Sequence, residues 1–216
     1  LAVAVVAAAG DHASALGVGS AALALVLAFL PETGIVFVNG AAYPNERRFP
    51  LRVPGPLLFG PLPLAWALAL AAPAAGALLL AEGRWLAGAV VLAAALPVAA
   101  LLLRALHGLS RRWVVFVPAG VVLHDPIGLV DPVLFRRPLI EALRPAPAGT
   151  DSLDLTQAAP GLALELVLKE KVPLVLARPG RRTGEPGSSA RLLFTPTRPG
   201  AVLHEARARR LPTGGA

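Results

Sequence analysis

The chain has no cysteine. Disulfides, thiolate zinc sites, iron–sulfur clusters and cysteine nucleophiles are therefore excluded. Charge is scarce too: Asp, Glu, Lys and Arg supply 15% of the 216 residues, against ~25% in an ordinary soluble domain. Hydrophobic residues make up 56% and the mean hydropathy is +0.67. That balance excludes a disordered chain, which needs low hydrophobicity and high charge, and argues against a single soluble globule.

Signatures of catalysis are also missing. No serine lies in a Gly-x-Ser-x-Gly elbow, and there is no Walker loop and no Gly-x-Gly-x-x-Gly. His12, His107, His124 and His204 never approach the i,i+3 or i,i+4 spacing of a helical metal site. Asp125 and Asp131 flank Pro126–Val130. Two carboxylates at that spacing suit a cation or acid–base work, whereas Asp before Pro also simply initiates a turn. The expectation is a non-enzymatic protein with no catalytic residue, metal or cofactor.

What is present divides unevenly. Residues 1–110 hold five Arg and four acids; residues 111–216 hold fifteen Lys or Arg and nine acids. The first part is built of long apolar runs. A membrane-crossing helix needs roughly 20 apolar residues. Residues 13–31, 57–81 and 85–103 are free of charged side chains, and are too continuous for amphipathic surface helices. Residues 1–9 read as the latter half of a further, truncated span, because a signal peptide would need a basic leading region. Gly10-Asp11-His12 and Glu82-Gly83-Arg84 then close two helical hairpins. No ionisable residue sits mid-span, which counts against a proton-coupled path. Gly17, Gly19, Gly76 and Gly88 permit close helix contact.

Arginine sets the orientation. Arg47, Arg48 and Arg52 lie in the 32–56 loop, and Arg104, Arg111 and Arg112 follow the last span. The positive-inside rule places both flanks in the cytoplasm. The expected location is a multi-pass plasma-membrane protein with a cytoplasmic C-terminal domain. Within the loop, Ile35–Tyr43 contains Asn39-Gly40 after a β-branched run, a hairpin-turn signal, so a short extended excursion is expected. Leu30-Pro31-Glu32-Thr33-Gly34 has the letters of a sortase sorting signal, but its apolar run precedes the motif and 182 residues follow it.

From residue 111 the pattern changes to strands. Trp113–Val117 and Val121–His124 flank Pro118-Ala119-Gly120, a type I turn signature. Val133–Phe135, Leu139–Leu143, Leu153–Leu155, the alternating Leu162–Lys169, Val172–Ala177 and Arg191–Phe194 complete about seven short strands. Gly180–Ala190 reads as a mobile polar loop. Ala201–Arg210 reads as a helix with a Glu205/Arg209 pair at i,i+4, and 212–216 as a disordered tail.

A meander of this kind closed by one helix resembles the pleckstrin-homology-like (PH-like) fold. RWVVFVPAGVVLHDPIGLVDPVLFRR (112–137) and LLFTPTRPGAVLHEA (192–206) are similar to an uncharacterised family of actinobacterial integral membrane proteins, and the bias to Arg, Ala, Leu, Gly and Pro fits a GC-rich coding sequence. The resemblance covers residues 85–211 and implies no activity. The expected fold is α+β: a membrane region over 1–110 and a cytoplasmic PH-like β-barrel or sandwich over 111–211. The first β-turn, Pro-Ala-Gly, lacks the basic cluster of lipid-binding PH domains.

Three arginines remain as candidate site residues. Arg104, Arg111 and Arg112 directly follow the last span, where each cation attracts anionic lipid by about 1 kcal/mol. The same residues serve the topology signal. Arg136, Arg137, Arg207, Arg209 and Arg210 lack the interleaved aromatics of a nucleic-acid surface, so nucleic acid is not expected as a partner. The expected partners are the lipid bilayer, anionic headgroups, and a membrane-protein partner or second copy. The expected function is a membrane-anchored module that binds a protein or the lipid surface; the alternative is an accessory subunit of a membrane lipid enzyme or transporter.

Overall fold

The computed structural model describes residues 30–178 and 181–214, together with 17, 19–24, 26 and 27 of the preceding stretch. The partial span 1–9 and the turn at 10–12 lie outside the described residues; within 13–31, residues 17, 19–24, 26 and 27 are helical. In chain order the elements are α1 (Pro31–Asn39), β1 (Arg47–Pro50), α2 (Gly55–Leu58), α3 (Pro61–Ala81), α4 (Trp85–Ser110), β2 (Trp113–Val117), β3 (Gly120–His124), β4 (Val133–Arg136), a 3-10 turn at Arg137–Leu139, β5 (Ile140–Pro145), β6 (Leu153–Asp154), β7 (Leu164–Arg178), β8 (Arg181–Phe194) and α5 (Pro199–Ala208). They form two units, residues 1–34 with 57–109 and residues 35–56 with 110–216.

Among the described residues the helical unit carries two helices long and apolar enough to cross a membrane. Pro61 and Pro63 open α3, where a missing N–H costs little. Gly83, at φ +76°, stops α3 in the left-handed conformation that glycine adopts freely, and the N–H groups of Glu82, Gly83 and Arg84 return to the carbonyls of Leu78, Leu80 and Leu79. The buried positions are small: Ala69 and Gly76 on α3, Gly88, Ala95 and Ala99 on α4. A Cβ on Gly76 would stand 2.7 Å from Leu92 Cγ, and one on Gly88 2.6 Å from Leu80 Cδ2. Small residues thus let the backbones approach, as in membrane helix pairs. The large side chains point away, with Leu86 82% exposed and Leu101 68%. Only 11% and 17% of their most apolar stretches are buried, whereas the core helix of a soluble protein hides most of its surface.

The β unit is assembled from two separate stretches of sequence. Its first sheet has the order β1-β2-β3-β4, all antiparallel, and its second β5-β7-β8-β6. β6 runs parallel to β8, and the other neighbours in that sheet are antiparallel. Strand alternation turns Phe49, Val114, Phe116, Val121, Leu123 and Phe135 inward, where they join Leu143, Leu164, Leu166, Leu192 and Phe194 of the second sheet in one core. Val202 and Ala206 of α5 join the same core. Gly120, at φ +152°, passes so close to β4 that a Cβ would meet Phe135 O.

Several expectations need correction. The two four-stranded sheets are not closed into a barrel. The unit reaches back across the expected boundary at residue 110, because β1 pairs with β2 from Arg47↔Phe116 to Pro50↔Trp113. Asn39-Gly40 does not turn a hairpin; it ends α1, with Gly40 N–H donating to Phe37 O at 3.3 Å. Asn and Gly suit a helix stop as well as a type I′ turn. Residues 181–190 are no loop but the distal half of β8, paired with β7 from Val172↔Ser189 to Leu176↔Glu185. Cross-strand pairing there outweighs weak intrinsic strand preference. Leu162 is 51% exposed and lies outside the strand, whereas Leu164–Leu168 are buried on both faces. In the tail, Pro212 O accepts a hydrogen bond from Leu143 N–H.

Candidate functional site

The outward face of the first sheet sets valine, leucine and tryptophan among arginine and histidine, where an antiparallel sheet facing water would be mainly polar. Register fixes its composition. Trp113 lies opposite His124, and Arg48, Val115, Val122 and Leu134 form one cross-strand row. Arg136 follows on β4 beside Gly120. Near β1 this face hollows into a groove of about 220 Å³, with Arg48, Arg111, Trp113 and His124 around a floor of Val115, Val117 and Val122.

The groove is organised around Trp113. The His124 ring stacks on it at 5.4 Å with a 25° interplanar angle. The Arg48 guanidinium lies 5.4 Å from the same indole, a cation–π distance. Arg48 is held by Glu46 through Nε–Oε1 at 2.9 Å and Nη2–Oε2 at 3.2 Å. Its hydrogen bonds to Arg48 chiefly hold the Glu46 carboxyl below the usual range; burial opposes this, and the Tyr43 N–H assists. The backbone of Arg48 is fixed as well. The Asn39 carboxamide accepts from Arg48 N–H and donates to Arg48 O, both at 2.9 Å, so one side chain imitates a neighbouring strand at the edge of β1.

His124 is pushed below the ordinary histidine value. Burial is the largest cause, and the positive charge of Arg111 adds to it; Asp125 opposes, and Arg48 adds a smaller push. The imidazole is therefore uncharged at neutral pH. Glu46 and Arg48 cancel, so Arg111 supplies the net charge of the groove. Arg111 is exposed and has no ion pair among the described residues.

The three expected lipid-contact arginines separate. Arg104 is exposed on α4, and Arg111 is exposed in the groove. Arg112 is 2% exposed and unavailable to lipid. Its Nε donates to Asp125 Oδ1 at 2.6 Å, its Nη2 to Asp125 Oδ2 at 2.7 Å and its Nη1 to Arg52 O at 2.7 Å. Arg112 pairs with the backbone of Leu51 just ahead of β2 and turns inward, whereas Arg111, one residue earlier in the turn after α4, is exposed. Asp125 is thereby committed to structure, and exposed Asp131 does not join it. Of the basic residues near α5, Arg209 pairs with Glu205 at 2.7 Å, and Arg137 Nη2 donates to the Arg209 carbonyl.

A second buried charge lies in the other sheet. Glu165 is fully buried and accepts from Arg144 Nε at 2.8 Å, Thr150 Oγ1 at 2.8 Å and Ser152 Oγ at 2.6 Å. Burial alone would raise its pKa; the hydrogen bonds from Ser152, Thr150 and Arg144, with the charge of Arg144, outweigh it and the net shift is downward. A carboxylate saturated in this way is a poor base. Among the described residues no cluster of three His, Asp or Glu could hold a metal.

Of the groove's residues the sequence singled out Arg111, on its juxtamembrane position alone, and missed Glu46, Arg48 and the stacking role of Trp113. The one available signal was Glu46-x-Arg48 leading into a β-compatible Phe-Pro. Comparison with protein-family models, curated proteins and solved structures finds no match for this chain.

Proposed function

We propose that this protein is a non-enzymatic membrane-anchored module whose β unit binds the anionic surface of its own membrane. Helices α3 and α4 form the anchor, and the first sheet supplies the binding face. The observation that carries this reading is the placement of Arg111. It stands one residue beyond the 26-residue apolar helix α4, exposed, at a groove whose sheet face carries Val117, Val122 and Leu134 between Arg48 and Arg136. Juxtamembrane cations beside apolar area suit an anionic bilayer surface.

The topology supports the anchoring. Residues 35–56 precede the α3–α4 hairpin and 110–216 follow it, yet both belong to one β unit. They must lie on one side of a membrane, which two crossings satisfy. The positive-inside count makes that side cytoplasmic. The accessory-enzyme reading gains no comparable support: the cleft in the helical unit, between Leu57–Ala65 and Ala105–Leu109, is lined only by apolar side chains.

The test is native mass spectrometry of the full chain released from nanodiscs of mixed phosphatidylcholine and phosphatidylglycerol. Retained lipid is expected to be enriched in phosphatidylglycerol, and the enrichment to fall in an Arg104→Gln/Arg111→Gln variant. Equal retention of the two lipids would refute the reading.

A further inference from the structure

The groove at Trp113 has the chemistry of a discrete ligand site, beyond that of a diffusely attractive surface. We propose that it binds one phosphodiester headgroup of an anionic membrane lipid, the phosphate against Arg111 and His124 and the glycerol and first acyl carbons over Val117 and Val122. This rests on the membrane-surface reading above and names its ligand.

Charge complementarity decides the class. With Glu46 bound to Arg48 at 2.9 Å, the groove carries one net positive charge at neutral pH. A phosphodiester carries one negative charge and is matched. A phosphate monoester carries about −1.5 to −2 and is left undercompensated, and a zwitterionic headgroup brings an ammonium next to Arg111. The apolar floor favours a ligand with a hydrocarbon portion over a free inorganic ion. Trp113 gives the floor a rigid wall, fixed by His124 on one side and the Arg48 guanidinium nearby. Arg48, held by Glu46 and Asn39, is a positioning residue; Arg111 is the cation left free to meet the ligand.

Protonation of His124 should be coupled to binding. The groups facing it are Arg111 ahead of β2, Arg48 and Glu46 at β1, Trp113 on β2 and Asp125 after β3. A bound anion would offset the repulsion from Arg111 and favour the imidazolium, so binding takes up a proton and tightens as pH falls below neutral.

The test uses the full chain in detergent, with Trp66→Phe and Trp85→Phe so that Trp113 is the only tryptophan, excited selectively over Tyr43. Dihexanoyl phosphatidylglycerol, dihexanoyl phosphatidylcholine and inorganic phosphate are titrated separately. Saturable binding of the phosphatidylglycerol is expected. Affinity should fall about tenfold in Arg111→Gln, the loss of one charge-assisted contact, and be partly restored by Arg111→Lys. Binding should tighten with acidity in the parent but not in His124→Gln. Phosphate binding as tight as the lipid would overturn the lipid assignment. Equal binding of the two lipids, or an unchanged Arg111→Gln, would overturn the site. If phosphatidylglycerol enrichment in nanodiscs nevertheless persists, the surface reading survives without it. Arg111 is exposed, so an unchanged melting profile confirms that the variant is folded.

Discussion

Arg112 and Asp125 form a buried two-pronged ion pair that ties the start of β2 to the end of β3, and the third guanidinium nitrogen reaches the backbone of Arg52 beyond β1. One side chain therefore locks together the two sequence stretches that build the β unit. Its neighbour Arg111 faces outward, so adjacent arginines have separate roles.

Removing one partner leaves the other charge buried and unpaired. Arg112→Ala or Asp125→Ala should destabilise the β unit by ~3–5 kcal/mol. Arg112→Lys should not recover it, because an ammonium cannot make the fork. Thermal unfolding of the full chain in detergent measures this. Arg111→Gln should leave the same profile unchanged.

Helices α3 and α4 and strands β2 and β3 were legible because each is a local pattern. Uninterrupted apolar runs named α3 and α4, and Trp113–Val117 and Gly120–His124 follow from β-branched runs around a Pro-Ala-Gly turn. The discontinuity of the β unit was not legible. Arg47–Pro50 is a strand only because β2 offers it an edge 63 residues further on at the Pro50↔Trp113 pair. The distal half of β8 is likewise polar and glycine-rich, and becomes a strand through pairing with β7. The groove was hidden for the same reason: Arg48, Trp113 and His124 meet through register, and no local spacing announces it.

The edge of β1 depends on Asn39. Asn39→Asp keeps the size of the side chain but replaces the donor facing Arg48 O with a second acceptor. We expect a loss of about 1–3 kcal/mol and faster hydrogen exchange at Arg48 N–H, with little change in α3 and α4. Unaltered exchange would show that the carboxamide contributes nothing to the edge.

Glu165 gives the β unit an acid limit. Its folded pKa is depressed below the ordinary 4.5, so its contribution to stability is full above that value and is lost as pH falls through the lower, folded value. Glu165→Gln should be less stable than the parent at neutral pH, and the gap should narrow in acid. Stability curves from pH 7 downward check the sign; a gap that widened in acid would contradict it.

The helix pair depends on absent side chains. Gly88→Leu would drive carbon into Leu80 and the α3 backbone, and Gly76→Leu into Leu92. Each should cost about 1–3 kcal/mol by overpacking, read as a lower unfolding temperature of the helical signal in detergent. Substituting outward-facing Leu86 by Ala should cost far less.

The absence of cysteine makes the central claim directly measurable, since one introduced thiol labels one place. A polarity-sensitive fluorophore on Leu134→Cys reports the outward face of the first sheet, and one on Glu170→Cys reports β7 of the second. With the full chain in nanodiscs containing phosphatidylglycerol, the label at 134 should shift to the blue and be quenched by lipid-borne quenchers, while that at 170 stays in water. In pure phosphatidylcholine the signal at 134 should weaken. Water-exposed emission from residue 134 in both lipids would contradict the account.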